Sequence, residues 1–136
     1  MRTSPNRLAA TILGALYLVV GIAGWFAVSG VGFFSTTGGL LLGLLGVNPL
    51  HTALNILIGA ALLMAGLFTV AAAKTVATIA GTAFLVLGIA GLFVIGGPFN
   101  VLALNGADNV LHFASSVVLL AVGLGADRSV PTAVTS

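Results

Sequence analysis

Residues 77–93 read ATIAGTAFLVLGIAGLF, and they repeat residues 10–26, which read ATILGALYLVVGIAGWF. Neither stretch carries a charged residue. With its flanks, each is long enough for a transmembrane helix, which needs about 20 mostly apolar residues. The glycines fall in register in the two stretches: Gly14, Gly21 and Gly24 in one, Gly81, Gly88 and Gly91 in the other. The pair predicts a membrane protein built from two similar halves.

The composition leads to the same prediction. Of the 136 residues, 60% are hydrophobic and only 4% are charged, whereas about a quarter of the residues in an ordinary soluble domain are charged. Lipid is the solvent that suits so apolar an exterior, so the bilayer is the expected partner. The chain has no cysteine, which excludes disulfides and thiolate metal sites. It has no basic patch with interleaved aromatic residues, so we expect no nucleic-acid partner.

Four segments are apolar enough to span a membrane, at about residues 8–28, 50–72, 76–95 and 110–126. None contains Asp, Glu, Lys or Arg. The predicted fold class is all-α, an integral membrane four-helix bundle forming a single domain over residues 1–136. Repeat one covers about 8–72 and repeat two about 75–126, with flexible tails at 1–6 and 128–136. We expect the first span to be retained, since it is longer than a usual signal-peptide core.

Basic residues predict the orientation. Arg2 and Arg7 precede the first span, Lys74 lies in the predicted turn between spans two and three, and Arg128 follows the fourth. The loops at 29–49 and 96–109 contain no Lys or Arg. The positive-inside rule then places both termini in the cytoplasm, and the expected location is the bacterial cytoplasmic membrane.

The first outer loop holds its own apolar run, LLLGLL at residues 40–45. It is too short to cross a bilayer. We expect a short interfacial or re-entrant helix there.

The repeat continues into the second helix of each half. Span two opens Asn48-Pro49-Leu50-His51, and span four opens Asn109-Val110-Leu111-His112. Each half has two spans, so both halves have the same orientation. The predicted repeat is therefore parallel, with a pseudo-two-fold axis along the membrane normal.

The in-register glycines are candidate helix-packing residues. Small residues let membrane helices approach closely and gain van der Waals contact, which predicts packing at Gly14, Gly21, Gly24, Gly81, Gly88 and Gly91. A narrow crevice for a lipid or an apolar ligand is the alternative interpretation.

Polar residues gather at the outer ends of spans two and four, and they form the candidate ligand or proton site: His51, His112, Asn48, Asn55, Asp108 and Asn109. In a structural interpretation, Asn48, Asp108 and Asn109 are helix N-caps and the histidines hydrogen-bond between helices or reach toward headgroups.

In a functional interpretation, His51 and His112 converge. They are then weak candidates to ligate a haem, to bind a transition metal together with Asp108, or to relay protons, since histidine titrates near neutral pH. No nucleophile with an oriented base and an oxyanion site is evident. We therefore expect no enzyme activity and no resident cofactor.

The combination of these motifs resembles a known family. Glycine-rich helices followed by Asn48-Pro49-Leu50-His51 and by Asp108-Asn109-Val110-Leu111-His112 resemble domain-of-unknown-function family 4383, small and mainly actinobacterial membrane proteins. The resemblance covers about residues 7–124. It implies four membrane helices and an actinobacterial-type origin, and it implies no known activity. Relatives often carry a second histidine one turn after the first, where this chain has Asn55.

Three functions remain open at this point. The first is a non-enzymatic structural, accessory or assembly component that contacts a second copy or another membrane protein. The second is a haem- or metal-binding redox protein using His51 and His112. The third is a small channel or carrier subunit whose outer polar residues form a vestibule.

Overall fold

Four helices make up most of the computed structural model, which describes residues 4–128. They are α1 (Pro5–Ala27), α2 (Pro49–Phe68), α3 (Val70–Val94) and α4 (Gly106–Gly125). Each is long and apolar enough to cross a membrane, with mean hydropathies of 1.6 to 2.2. The predicted four-helix membrane bundle is confirmed. The prediction for Arg2 and most of the two predicted tails lie outside the described residues.

Two predicted boundaries need correction. Residues 4–6 are not a tail, because Ser4 caps α1 by accepting a hydrogen bond from the Arg7 N–H, and Pro5 occupies the first turn. Proline suits that position, since its fixed φ is helical and no partner is needed for its nitrogen. Lys74 lies within α3 and not in a turn, because Thr69 alone separates α2 from α3 and caps α3.

The expected interfacial helix at residues 40–45 is wrong. The segment is an antiparallel hairpin of β1 (Gly39–Leu41) and β2 (Leu45–Val47), with Leu41 paired to Leu45. Leu42 and Gly43 both have positive φ, at 55° and 68°, as in the tight turns whose twist matches paired strands. A short apolar run does not distinguish strand from helix by periodicity.

Glycine permits the close contacts of this hairpin. A Cβ on Gly38 would overlap the Val47 carbonyl, and one on Gly39 would overlap the Ala27 carbonyl. Leu41 and Val47 then pack with Val28 in a small core at the end of α1. We call this end of the bundle the hairpin end.

Within each helical pair, glycines bring the backbones together. α1 packs mainly against α2, and α3 against α4. A Cβ on Gly14 would overlap the Leu63 backbone, and one on Gly59 would overlap the Leu18 backbone. These contacts leave no room for a side chain, so glycine determines how closely α1 and α2 approach.

The second pair makes comparable contacts at other residues. Gly81 faces Leu119 and Leu120, Gly88 faces the Phe113 ring and Gly91 faces the Asn109 side chain. In the first pair, Gly14 faces Leu62 and Leu63, Gly21 faces Ile56 and Gly24 faces Thr52. The structure thus places all six glycines singled out from the sequence at contacts between paired helices.

At the opposite end, basic side chains cover the last carbonyls of α2 and α4. The Arg7 guanidinium donates to the carbonyls of Gly66 (2.9 Å) and Leu67 (3.1 Å), and the Lys74 ammonium donates to that of Ala126 (3.1 Å). Cations are favoured at helix C-termini, where carbonyls lack partners and the dipole is negative. We call this end the basic end.

A carboxylate also joins the two termini of the bundle at the basic end. Asp127 Oδ2 accepts hydrogen bonds from the Ser4 hydroxyl (2.6 Å) and from both the backbone and the side-chain nitrogen of Asn6 (3.1 and 2.8 Å). The bonds from Ser4 and Asn6 lower the pKa of Asp127 below its usual value, because they favour the charged form. α1 is thereby linked to the end of α4.

Gly59→Ala tests the close helix contact. The added Cβ meets the Leu18 backbone, which cannot move without separating α1 from α2. We expect a loss of about 1 to 3 kcal/mol in unfolding free energy, as for overpacked cores, measured by titrating the detergent-solubilised protein with a denaturing detergent. Gly125→Ala is the control, since nothing lies within 4 Å of its Cβ position. Equal unfolding free energies for the two variants would contradict this packing scheme.

Candidate functional site

Asn48 holds the start of α2 at the hairpin end, as its predicted role as an N-cap requires. Its side-chain oxygen accepts from the His51 N–H at 2.9 Å. Its amide nitrogen donates to the carbonyls of Ser35 and Val101. Asn48 is fully buried, so its hydrogen bonds tie α2 to both loops at this end.

The start of α4 differs from the prediction. Asn105 is the N-cap and Asp108 closes a capping box with it, so α4 begins one turn earlier than expected. In a capping box each side chain accepts from the other residue's backbone N–H. The predicted N-cap roles of Asp108 and Asn109 are therefore wrong. Asn109 lies inside the helix and donates to the Gly88 carbonyl at 3.0 Å.

This shift changes which residues correspond between the two halves. Gly24 packs on Thr52, and Gly91 packs on Asn109. By packing, Thr52 therefore corresponds to Asn109, and Asn55 corresponds to His112. The match of His51 with His112 is one helical turn out of register with the packing, and His112 lies in the second turn of α4.

A chain of hydrogen bonds joins Asp108 to His51 through the β-hairpin. Asp108 Oδ2 accepts from the backbone N–H groups of Gly46 (3.0 Å) and Asn105 (2.9 Å). The Gly46 carbonyl lies 3.0 Å from His51 Nδ1. Because a carbonyl can only accept, this nitrogen carries the proton. The hairpin thus determines both the orientation and the tautomer of His51.

The two histidines belong to a column of rings that draws on all four helices. The ring centroids of His51 and His112 are 5.8 Å apart. His112 stacks on Phe84 at 5.5 Å, and Phe84 stacks on Tyr17 at 4.5 Å. The Tyr17 hydroxyl hydrogen-bonds Ser115 Oγ at 2.9 Å. The column runs inward from the hairpin end to the buried core.

Tyr17, Phe84 and Ser115 are part of this arrangement but were not singled out as site residues. The sequence contains a signal for two of them, because Tyr17 and Phe84 occupy the same position in the two repeated stretches. An aromatic residue at a matched position near a shared axis meets its counterpart. Ser115 had no such signal, because serine in a membrane helix more often bonds its own backbone.

Four buried side-chain atoms in residues 4–128 lack hydrogen-bond partners: Asn6 Oδ1, Thr52 Oγ1, Asn109 Oδ1 and His112 Nδ1. Thr52 Oγ1 and Asn109 Oδ1 face glycines in the helix contacts described above. His112 is different, because its ring lies on the wall of a cavity. A buried polar atom without a partner costs about 1 to 3 kcal/mol, so this atom calls for an explanation.

The cavity is a groove of about 320 Å³ between α2 and α3. We call it the histidine groove. Its polar wall consists of His51, Asn55 and His112, and its other lining residues, including Leu57 and Phe84, are apolar. Leu57 at its edge is 68% exposed, so the groove opens sideways toward lipid. The Asn55 carboxamide makes no hydrogen bond within residues 4–128, and no charged side chain lines the groove.

The ring distance brings joint metal binding by His51 and His112 within reach, since metal–nitrogen bonds are about 2 Å. Whether the protein offers a third ligand to such a metal ion is a separate question. Within residues 4–128, no three His, Cys, Asp or Glu side chains are grouped to hold a metal ion. The predicted third ligand, Asp108, bonds Gly46 and Asn105 instead.

Fold and site together define a multi-pass membrane protein of four helices, with a β-hairpin over one end and a lipid-facing groove beside two histidines. The chain belongs to the family described as a domain of unknown function (DUF4383), whose model matches residues 7–125. The family resemblance noted in the sequence is thereby confirmed. No curated protein and no solved structure matches the chain.

Asp108→Ala tests the link between hairpin and helix. The loss of a charged acceptor frees the Gly46 N–H, and such hydrogen bonds contribute about 1.5 to 3 kcal/mol. We expect amide hydrogen exchange at Gly46 to accelerate about tenfold or more. Asp127→Ala, which removes the carboxylate at the basic end, is the control and leaves Gly46 exchange unchanged. Unaltered exchange at Gly46 in Asp108→Ala would disprove the link.

Proposed function

We propose that the protein is a non-enzymatic membrane component that binds a lipid-soluble molecule in the histidine groove. One observation carries the proposal: His112, whose Nδ1 is buried without a hydrogen-bond partner, lines a groove that opens toward lipid beside the Asn55 carboxamide. A ligand atom bonded there would remove the cost of the unpaired nitrogen. The volume of about 320 Å³ lies within the usual range for small-molecule sites, about 300 to 1,000 Å³.

The use of the glycines favours ligand binding over assembly. Gly14 and Gly21 are covered by α2, and Gly81 and Gly88 are covered by α4. These small-residue faces therefore stabilise the hairpins internally, and they are not free to recruit another chain. The lateral opening between α2 and α3 is the surface that an external molecule reaches.

The absence of enzyme activity is part of the proposal. Ser115, a residue type that could serve as a nucleophile, is paired with the Tyr17 hydroxyl. A serine nucleophile requires an adjacent base and an oxyanion site. The groove instead offers hydrogen bonds and apolar contact, which are sufficient for binding.

We further propose that the two helical hairpins arose by duplication and that only one half kept an open groove. In the contact register described above, Ile58 beside the groove corresponds to Ser115, and Phe84 corresponds to Tyr17. The Tyr17–Ser115 hydrogen bond occupies the place where the other half has an opening. This difference places the proposed site between α2 and α3 and not between α1 and α4.

For orientation, we propose that the basic end faces the cytoplasm and that the protein resides in the bacterial cytoplasmic membrane. Arg7, Lys74 and Arg128 all lie at that end, in accordance with the positive-inside rule. The β-hairpin then faces outward.

Single cysteines test this orientation, because the chain has none of its own. Thr36→Cys lies in the exposed loop before the β-hairpin, and Ala71→Cys lies in the exposed first turn of α3. A membrane-impermeant maleimide should label Thr36→Cys in intact cells and Ala71→Cys only after lysis. The reverse labelling pattern would overturn the proposed orientation.

Filling the groove tests the binding function. Ala83 lines the groove from α3, so the phenyl ring of Ala83→Phe occupies its volume. In native mass spectrometry after incubation with a bacterial lipid extract, we expect wild type to retain an added amphiphile and Ala83→Phe to retain none. Ala114→Phe is the matched control on an exposed face of α4 and behaves as wild type. Equal retention by all three proteins would refute a ligand site in this groove.

A further inference from the structure

We infer that the ligand of the histidine groove is an uncharged amphiphile, with a hydroxyl or carbonyl oxygen in its head and a single long apolar tail. The inference rests on the proposed binding function and specifies its ligand. Three features of the groove support it: its free hydrogen-bonding groups, its lack of charge, and its continuation along α2 and α3.

The free hydrogen-bonding groups lie together on one wall. His112 Nδ1 has no partner, and His112 is 1% exposed. The Asn55 carboxamide, itself buried, lines the same groove without a hydrogen bond in the described part of the chain. An amide both donates and accepts, and a neutral imidazole nitrogen does one or the other. An oxygen-bearing head has the hydrogen-bonding chemistry that matches both groups.

The second histidine, His51, limits the size of the ligand's head. His51 Nδ1 is already bonded to the Gly46 carbonyl, so that nitrogen is not available to a ligand. The His51 ring instead closes the end of the groove nearest the β-hairpin, beside His112. The head is therefore compact, because it ends against this ring.

The charge of the lining excludes ionic heads. No Lys, Arg, Asp or Glu lines the groove, and its remaining walls are Leu, Ile, Ala and Phe side chains. A phosphate or an ammonium group would lose its hydration there without gaining a counter-ion, at a cost of several kcal/mol. An uncharged oxygen head avoids that cost.

The tail follows from a second depression along the same two helices. It has a volume of about 730 Å³, is lined by Met64, Leu67, Phe68 and Val76 among others, and shares Ala61 with the histidine groove. From Asn55 to Leu67 the path along α2 is about 18 Å, at 1.5 Å rise per residue. An extended hydrocarbon chain matches this apolar track toward the basic end.

Four probes with the same decyl tail separate these requirements: decyl-benzoquinone with carbonyl oxygens, 4-decylphenol with a hydroxyl, decylbenzene with no oxygen, and decyl phosphate with a charge. Binding is measured on the full-length protein in detergent by isothermal titration calorimetry. We expect the quinone or the phenol to bind at least about tenfold more tightly than decylbenzene. A tenfold difference in affinity corresponds to about 1.4 kcal/mol of binding free energy. Decyl phosphate should bind no better than decylbenzene. Whichever oxygenated probe binds more tightly shows whether the site prefers a carbonyl or a hydroxyl.

Two variants assign this preference to the polar wall. His112→Phe keeps a ring that can stack on Phe84 but removes the nitrogen, and Asn55→Leu removes the amide at similar volume. Each should lower the preference for an oxygen head, measured as the ratio of the affinities for the oxygenated probe and for decylbenzene, about tenfold. Ala83→Phe should abolish binding of all four probes.

The outcomes separate the two proposals. If wild type binds all four probes equally and Ala83→Phe binds none, the groove is a binding site and the inferred head chemistry is wrong. If Ala83→Phe binds every probe as wild type does, the binding function itself fails. The wild-type comparison decides the head chemistry even if His112→Phe or Asn55→Leu does not fold.

Discussion

Backbone contact between paired helices is the constraint on which the rest of the structure depends. Lipid is as apolar as a leucine side chain, so burial of apolar surface gives membrane helices little reason to associate. Here Gly14 and Gly59 let the backbones of α1 and α2 meet, and Gly81 and Gly123 do the same for α3 and α4. Each hairpin is therefore a close-packed unit, and the contacts between the hairpins are sparser than those within them. The histidine groove lies between helices of different hairpins, α2 and α3.

Apart from the Tyr17–Ser115 pair in the core, the hydrogen-bonded polar side chains described above lie toward the two ends of this framework, and the two ends satisfy them in different ways. At the basic end, Arg7 and Lys74 satisfy terminal carbonyls, and Asp127 receives hydrogen bonds from the start of α1. At the hairpin end, the polar atoms continue inward through Asp108, Gly46 and the two histidines. At the hairpin end, His112 and Asn55 line a groove that opens toward lipid, which is why the candidate site is assigned to that end of the bundle.

Much of the fold was predictable from the sequence, because membrane helices follow from composition and length. The spans, the packing glycines and the position of the two histidines required only hydropathy and the repeated stretches. The segment at residues 40–45 was not predictable in this way. Its strands depend on Gly38 and Gly39 passing close to other backbone segments and on the Asp108 bond to Gly46. These contacts are distant in sequence and leave no local periodic signal.

The site was predictable only in part, for a related reason. The similar four-residue motifs that end at His51 and His112 suggested that these two histidines are equivalent. Equivalence depends instead on where each helix starts, and the N-cap decides that. Asn105 and Asp108 form a capping box, which moves the start of α4 back by one turn. The ring column joining Tyr17 to His112 depends on all four helices, so it becomes visible only when they are packed.

The contact register of the two helical hairpins also explains how different side chains come to line the histidine groove. Because α4 begins a turn earlier, His112 takes the place that Asn55 holds in α2, and the two side chains meet the same groove from different helices. His51 corresponds by packing to Asp108, and the two are joined through Gly46. The members of each pair differ in chemistry: Asn55 and His112 both line the groove, whereas His51 lines it and Asp108 does not. Identical halves would place identical groups around the axis, whereas this divergence combines an amide, an imidazole and a fixed histidine ring on one wall. The lining of the candidate site therefore depends on the differences between the two hairpins, and the shared glycine contacts keep those differences compatible with one fold.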